Sequence, residues 1–278
     1  MLAPIPSLRS ILLLVPMLTA MAAQARPAAD QSLVSHALST ELRLAEDSSH
    51  PMRYLLRKST PRLTTTKEIC ESRDGAVARL VAISDRPLTT SEEQIEKARL
   101  DALNTDPSRQ RHRKQSEDSD ASIIFKLLRM LPSAFVYQDA GPLANSDGRI
   151  ERFTFHPRPG FNPPDLVSQA LTNLNGEIWI DRAAERVTHI EGRLTQDTTY
   201  GWGLLGKLSS GGWLSIDQAL IDGRAWRITH LRLRMNLRVL FKEKPIDTTE
   251  EMTAYHPVPA GIDYREAIRL LRTQPVGH

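Results

Sequence analysis

Leu231-Arg232-Leu233-Arg234-Met235-Asn236-Leu237-Arg238-Val239-Leu240-Phe241-Lys242 is the stretch that decides how this chain is read. Leu231, Leu233, Met235, Leu237, Val239 and Phe241 alternate with Arg232, Arg234, Asn236, Arg238, Leu240 and Lys242. Successive side chains of a strand point to opposite faces, so the alternation predicts one long strand with an apolar face and a wet face. Just before it, Asp222-Gly223 supplies the left-handed backbone of a hairpin turn, preceded by a strand from Trp213 to Leu220.

The pattern extends outward in both directions. Ile150 to His156 alternates, with Phe153 and Phe155 on one side. Glu177 to Asp181 reads as a short strand and Val187 to Thr199 as a longer one, while the proline-rich loop Pro157 to Asp165 is excluded from any central strand. Nearer the N-terminus, Met52 to Lys58, Leu63 to Glu71 and Ala76 to Ile83 read as strands, the last two joined at Asp74-Gly75. Helical spacing marks Asp30 to Glu46 and Asp263 to Arg272. Thr90 and Glu93 suggest a capping box. Asp106-Pro107 is a second start signal, so residues 91–131 predict two helices or one bent helix, stopped by Pro132. No repeat and no linker divides the chain, and the whole reads as α+β.

The first 25 residues bear on address. The apolar run Ile11 to Ala22 follows Arg9 and ends in Ala23-Gln24-Ala25, the form of a secretory signal peptide cut before Arg26. The run of about 12 apolar residues is short for a membrane anchor. Residues 1–25 hold one Arg and no acid, so the formal charge of +3 falls to +2 on processing. Lys and Arg are spread along the chain, and aromatic residues are only 5%, which argues against nucleic acid as a partner. The one cysteine, Cys70, cannot form an internal disulfide and lies far from the cut, where a lipid anchor would require it. The expected product is an exported periplasmic protein without a lipid anchor.

No motif commits the chain to catalysis. The eight histidines form no H-x-x-x-H pair, and a single Cys excludes a thiolate cage, so no metal or cofactor is expected. Cys70 lies among carboxylates, which disfavour a thiolate. Ser209-Ser210-Gly211-Gly212 lacks the G-x-S-x-G spacing of a nucleophile elbow. Gly201 to Gly206 spells G-x-G-x-x-G, but a further antiparallel strand follows it instead of a helix. The basic run Arg109 to Lys114 is balanced by Glu117, Asp118 and Asp120; a solvated helix explains it, and a membrane-surface contact is the sharper alternative. What remains is a large apolar sheet face that needs a cover, for which Ile123 to Leu131 is the apolar candidate. Such a face encloses either a packed core or a cavity for an acyl chain.

The order of elements resembles the LolA/LolB-like fold, an unclosed antiparallel barrel with helices as a lid. The residues that carry the resemblance are Gly176-Glu177-Ile178-Trp179-Ile180-Asp181 and the long strand after it. Asp85-Arg86-Pro87-Leu88-Thr89, Phe155 to Pro164 and Tyr200-Gly201-Trp202-Gly203-Leu204-Leu205-Gly206 resemble uncharacterised exported proteins of acidobacteria and relatives. Members of the fold family carry lipoproteins or lipids across the periplasm of Gram-negative bacteria. The resemblance implies one domain over residues 26–278: a curved half-barrel with helices on its concave side and a lid over about 91–131. It also implies a non-enzymatic monomeric carrier of lipid or lipoprotein acyl chains. Expected pocket residues are Phe153, Phe155, Ile178 and Ile180, together with Leu231, Leu233, Met235, Leu237, Val239 and Phe241; expected lid residues are Ile123, Ile124, Leu127 and Leu128. A secreted hydrolase, or an envelope scaffold without a cavity, are the competing classes.

Overall fold

The computed structural model describes residues 22–273 apart from Ser48, residues 201–205 and Phe241; for residues 22–30, Leu166, Tyr200 and Val239 it describes the backbone alone. The signal-peptide reading therefore lies outside the described residues as far as residue 21. Helix α1, Ala22–Ala45, passes through the expected cut. A first meander follows: β1 Met52–Ser59, β2 Thr64–Cys70, β3 Val77–Ile83 and the two-residue β4 Arg86–Pro87. Helices α2, Thr90–Thr105, and α3, Pro107–Ala134, come next. The second meander is β5 Phe135–Pro142, β6 Ile150–Pro157, a short α4 Leu166–Gln169 with a 3-10 turn, β7 Leu174–Asp181 and β8 Arg186–Leu194. It continues as β9 Thr198–Tyr200, β10 Gly206–Leu208, β11 Trp213–Ile221, β12 Ala225–Val239 and β13 Lys242–Pro257, and α5 Tyr264–Thr273 is the last described element.

All 13 described strands form one unclosed antiparallel sheet, in the order β4-β3-β2-β1-β13-β12-β11-β8-β7-β6-β5, with β10 and β9 added beside the far end of β12. The two meanders meet where β1 pairs with β13, so a strand near the N-terminus completes the C-terminal half. The sheet is the curved half-barrel that the resemblance implied.

Local signals differ in detail from the expectation. The capping box is Thr89 with Glu92, one residue earlier than Thr90 with Glu93. Thr89 has the extended backbone a cap requires, and Arg86 grips the Glu92 carboxylate from outside. Asp106 ends α2 and caps α3, so there are two helices. Pro132 does not stop α3, which runs on to Ala134. Carbonyls of this last turn find other donors: the Tyr137 hydroxyl donates to Leu131 O at 3.0 Å and Gln31 Nε2 to Pro132 O at 2.8 Å. The expected strand Val187–Thr199 breaks at Thr195 into β8 and β9.

Paired residues of an antiparallel sheet share a face, so the register traces the two faces across all strands. One face runs Ile178–Ile190–Ile216–Leu231–Glu250–Lys58–Thr65. The other runs Trp179–His189–Asp217–His230–Glu251–Arg57–Thr66. Helix α1 packs on the first face over β5 and β8, and the C-terminal part of α3 packs with it. We call this the concave face. Helices α2 and α5 pack on the other face, where Leu100, Leu103, Ile268 and Leu271 meet Cys70 and Val77. The helices are thus divided between the two faces, whereas the resemblance implied that all lie on the concave one. The spacing of α5 explains its share: Tyr264, Ala267, Ile268 and Leu271 form one buried stripe.

β4 covers only the Ala82–Ile83 end of the β3 edge, and side chains close the rest. Leu80 N–H donates to Glu96 at 2.8 Å and Ala76 N–H to Glu117 at 3.0 Å. Arg99 donates to Ala78 O, Arg113 to Ala76 O and Gln110 to Asp74 O. Unpaired edge groups invite foreign strands, and α2 and α3 remove that invitation. Helix α3 then leaves β3 and ends where β5 begins, so it spans the mouth between the sheet's two sides. At 1.5 Å per residue, the stretch from Glu117 to Leu131 covers about 20 Å.

Candidate functional site: a half-covered concave face

The concave face has two parts. Over β5–β8 it is filled. Phe153 and Phe155 are 1% and 3% exposed, and Ile178 and Ile180 are sealed completely. They lie in one cluster with Val34, Ala37 and Leu38 of α1 and Leu131 of α3. Phe135, Tyr137 and Phe155 interlock, with the Phe135 and Phe155 ring centres 4.7 Å apart. Gly176 makes room: a Cβ on it would stand 1.9 Å from Glu191 O and 2.7 Å from the tip of Phe155. Helix α1 is tied down by Glu41, whose carboxylate accepts two hydrogen bonds from Arg186, at 2.7 and 2.9 Å, and one from Val187 N–H at 3.0 Å.

Over β11–β13 the same face is open. Leu231, Leu233, Met235 and Leu237 of β12 are half-buried, and among the described residues no helix packs on β11, β12 or β13 to a comparable extent. Leu214 and Ile216 of β11 pair with Leu233 and Leu231, and Ile246 of β13 with Met235. The apolar strip continues at Met252, which pairs with Leu56 of β1. From Leu231 to Leu237 it is about 20 Å long at 3.4 Å per residue. The backbone of Val239 pairs with Gly206 and Lys242, but its side chain, and the whole of Phe241, lie outside the described residues.

The expected lid residues divide in the same way. Leu127 and Leu128 pack on the filled core, while Ile123 and Ile124 are 45% and 55% exposed. Gln110, Arg113 and Glu117 hold the β3 edge, and Leu128 and Leu131 reach the core. Ile124 falls on the helical stripe between these two anchored ends, and among the described residues nothing buries it.

The structure brings eight expected residues onto one face, four sealed and four half-open. Sequence reasoning passed over Leu214, Ile216, Ile246 and Leu56, because only the register shows that they continue the strip. It also passed over α1 as the plug of the filled half.

The outer face carries titratable groups in pairs. The His189 ring meets Asp217 through Nδ1 at 2.6 Å and Glu191 through Nε2 at 3.7 Å, and it lies against Trp179 with ring centres 4.3 Å apart. Both ring nitrogens face carboxylates, which is the geometry of an ion-pair cluster and not of a base holding a serine. Burial pushes the Cys70 thiol up to about 11, with Glu68 and Glu71 adding to the shift against an opposing Arg53, so the thiolate is disfavoured as its neighbours suggested.

No protein-family model and no curated protein matches the chain. Among solved structures, a crystal structure described as an outer membrane lipoprotein-sorting protein domain from Vibrio parahaemolyticus aligns with 88% of this chain and 98% of its own, at TM-score 0.33 and 9% identity. A DUF1329 family protein from Desulfovibrio piger aligns with 91% of this chain and 99% of its own, at TM-score 0.30 and 10% identity. At that distance neither protein lends this chain a function.

Proposed function

We propose that this protein is a non-enzymatic periplasmic carrier that holds an acyl chain, of a lipid or of a lipoprotein, on the open part of its concave face. The observation that supports the reading is the strip Leu231, Leu233, Met235 and Leu237, which is continuous with the packed core yet left half-exposed. An acyl chain laid on it removes apolar surface from water on both partners, at about 25 cal/mol per Å². The filled half supplies a rigid wall, and α3 crosses the mouth with Ile123 and Ile124 available to close over a bound chain. The N-terminal segment, read as a signal peptide, supplies the address.

The test is mass spectrometry of lipid that co-purifies with the protein from its own envelope, followed by displacement of an apolar fluorescent probe. Stoichiometric lipid, together with probe binding that Leu233→Asp abolishes, is expected. A preparation free of lipid that binds no probe would overturn the reading.

A further inference from the structure

The register sorts the charged residues of β11, β12, β13, β1, β2 and β3 by type. The arginines, Arg53, Arg57, Arg79, Arg227, Arg232, Arg234 and Arg238, all fall on the outer face. So do five of the six acids: Glu68, Asp217, Glu243, Asp247 and Glu251. There they pair: Arg57 with Glu251 at 3.5 Å, Arg79 with Glu68 at 3.0 Å and Arg234 with Asp247 at 3.2 Å. The lysines, Lys58, Lys67, Lys242 and Lys244, all fall on the concave face, beside a single acid, Glu250. Lys58 holds that acid at 2.6 Å. Among the described residues, Lys67, Lys242 and Lys244 make no ion pair, and all three are exposed.

The chemistry of lysine suits this placement. Its aliphatic stem lies along apolar surface while the ammonium reaches the wet rim. Lys67 pairs with Leu56, and Lys244 with Leu237, so each stem starts from the apolar strip itself. The concave face of these strands therefore combines a greasy floor with three uncompensated positive charges and no free acid.

We infer that the ligand of this face is an anionic amphiphile, its chain along β11 and β12 and its carboxylate or phosphate headgroup drawn to the lysine-bearing strands β13 and β2. The inference rests on the carrier reading and adds to it the charge of the ligand. The shared chemistry is an anionic head on an apolar tail; a free fatty acid and an anionic phospholipid are its two sources.

The experiment uses the full chain purified from the envelope fraction and stripped of bound lipid with detergent. Four competitors displace an apolar fluorescent probe: palmitate, palmityl alcohol, a short-chain phosphatidylglycerol and the phosphatidylcholine of the same chains. Palmitate or phosphatidylglycerol is expected to bind roughly tenfold more tightly than its partner without net charge. The preference should shrink with added salt. It should disappear in the variant Lys67→Gln, Lys242→Gln, Lys244→Gln, which keeps polar surface side chains but removes the charge. Tight palmitate alone identifies the fatty acid, and tight phosphatidylglycerol alone identifies the phospholipid. Equal binding of charged and uncharged partners, unmoved by the lysine substitutions, overturns the charge inference and leaves the carrier reading standing. Failure of every competitor and of the probe overturns both.

Discussion

The two parts of the concave face are written in the same alphabet and end differently. Phe153, Phe155, Ile178 and Ile180 are sealed, while Leu231, Leu233, Met235 and Leu237, on the same face, are half-open. The difference does not lie in the strands, because both sets alternate and both are strongly apolar. It lies in what covers them. Helix α1 sits over β5–β8, bound by Glu41 to Arg186, and among the described residues nothing equivalent sits over β11–β13. An uncovered apolar strip costs solubility unless something occupies it, and this is why the open half, not the larger filled one, carries the functional argument.

Two substitutions would break the comparison from its strong side, and a third in the open half is their control. Gly176→Ala should have the largest effect, a loss above about 4 kcal/mol, because a Cβ there collides with the backbone of β8. Denaturant titration with circular dichroism would measure it, and a loss below 1 kcal/mol would mean that the close strand approach is not rigid. Phe153→Ala should cost about 3–5 kcal/mol, as expected for an aromatic cut from a sealed core. The matched Leu233→Ala should cost about 1 kcal/mol or less, since its site is already open to water. Equal losses at the two positions would show that the two halves are packed alike.

Glu41→Ala should come next, at about 3 kcal/mol, since removing one partner strands the other. Arg186 and Glu41 are 10% and 12% exposed, and Val187 N–H loses its acceptor as well. Hydrogen exchange should then rise in α1 and β5–β8 and stay unchanged in β11–β13. Faster exchange in both regions would mean that α1 supports the whole sheet and not one half.

Much of this was legible in the sequence, for stated reasons. Alternation marked β12, and Asp222-Gly223 and Asp74-Gly75 marked the β11–β12 and β2–β3 hairpins, because strand period and turn chemistry are local. The Asp106-Pro107 boundary was equally local. What escaped depends on partners far apart in the chain. Nothing near Met52 announces that β1 will pair with β13, some 200 residues later. Strand β5 follows directly on a helix and alternates only through Phe135 and Tyr137 before Asp139-Ala140-Gly141 dilutes the pattern. Pro132 looked like a stop because the Gln31 and Tyr137 donors that serve its turn are invisible to local reading. The separation of lysine from arginine was present in the letters throughout, but it acquires meaning only once the register says which step of each strand faces inward.

The smallest expected effect concerns a carboxylate at the border of the open half. Glu71 accepts a hydrogen bond from Met52 N–H at 2.8 Å and lies near the stacked rings of Tyr54 and Tyr255. Burial raises its pKa above the ordinary value of 4.5, with the Met52 hydrogen bond and Arg227 opposing. A carboxyl whose folded pKa is raised favours folding when protonated, so its contribution is present below 4.5 and is lost as pH rises through the folded value. At pH 7 the ionised group therefore costs stability. Glu71→Gln keeps an acceptor for Met52 and removes the charge, so it should stabilise the protein at pH 7 by less than about 1 kcal/mol. The gain should vanish near pH 4, where the wild-type carboxyl is already neutral. Thermal melts of both proteins from pH 4 to 8 would trace the difference. A gain that persists at pH 4 would place its origin in packing, and the border of the open half would then be less polar than the charge of Glu71 implies.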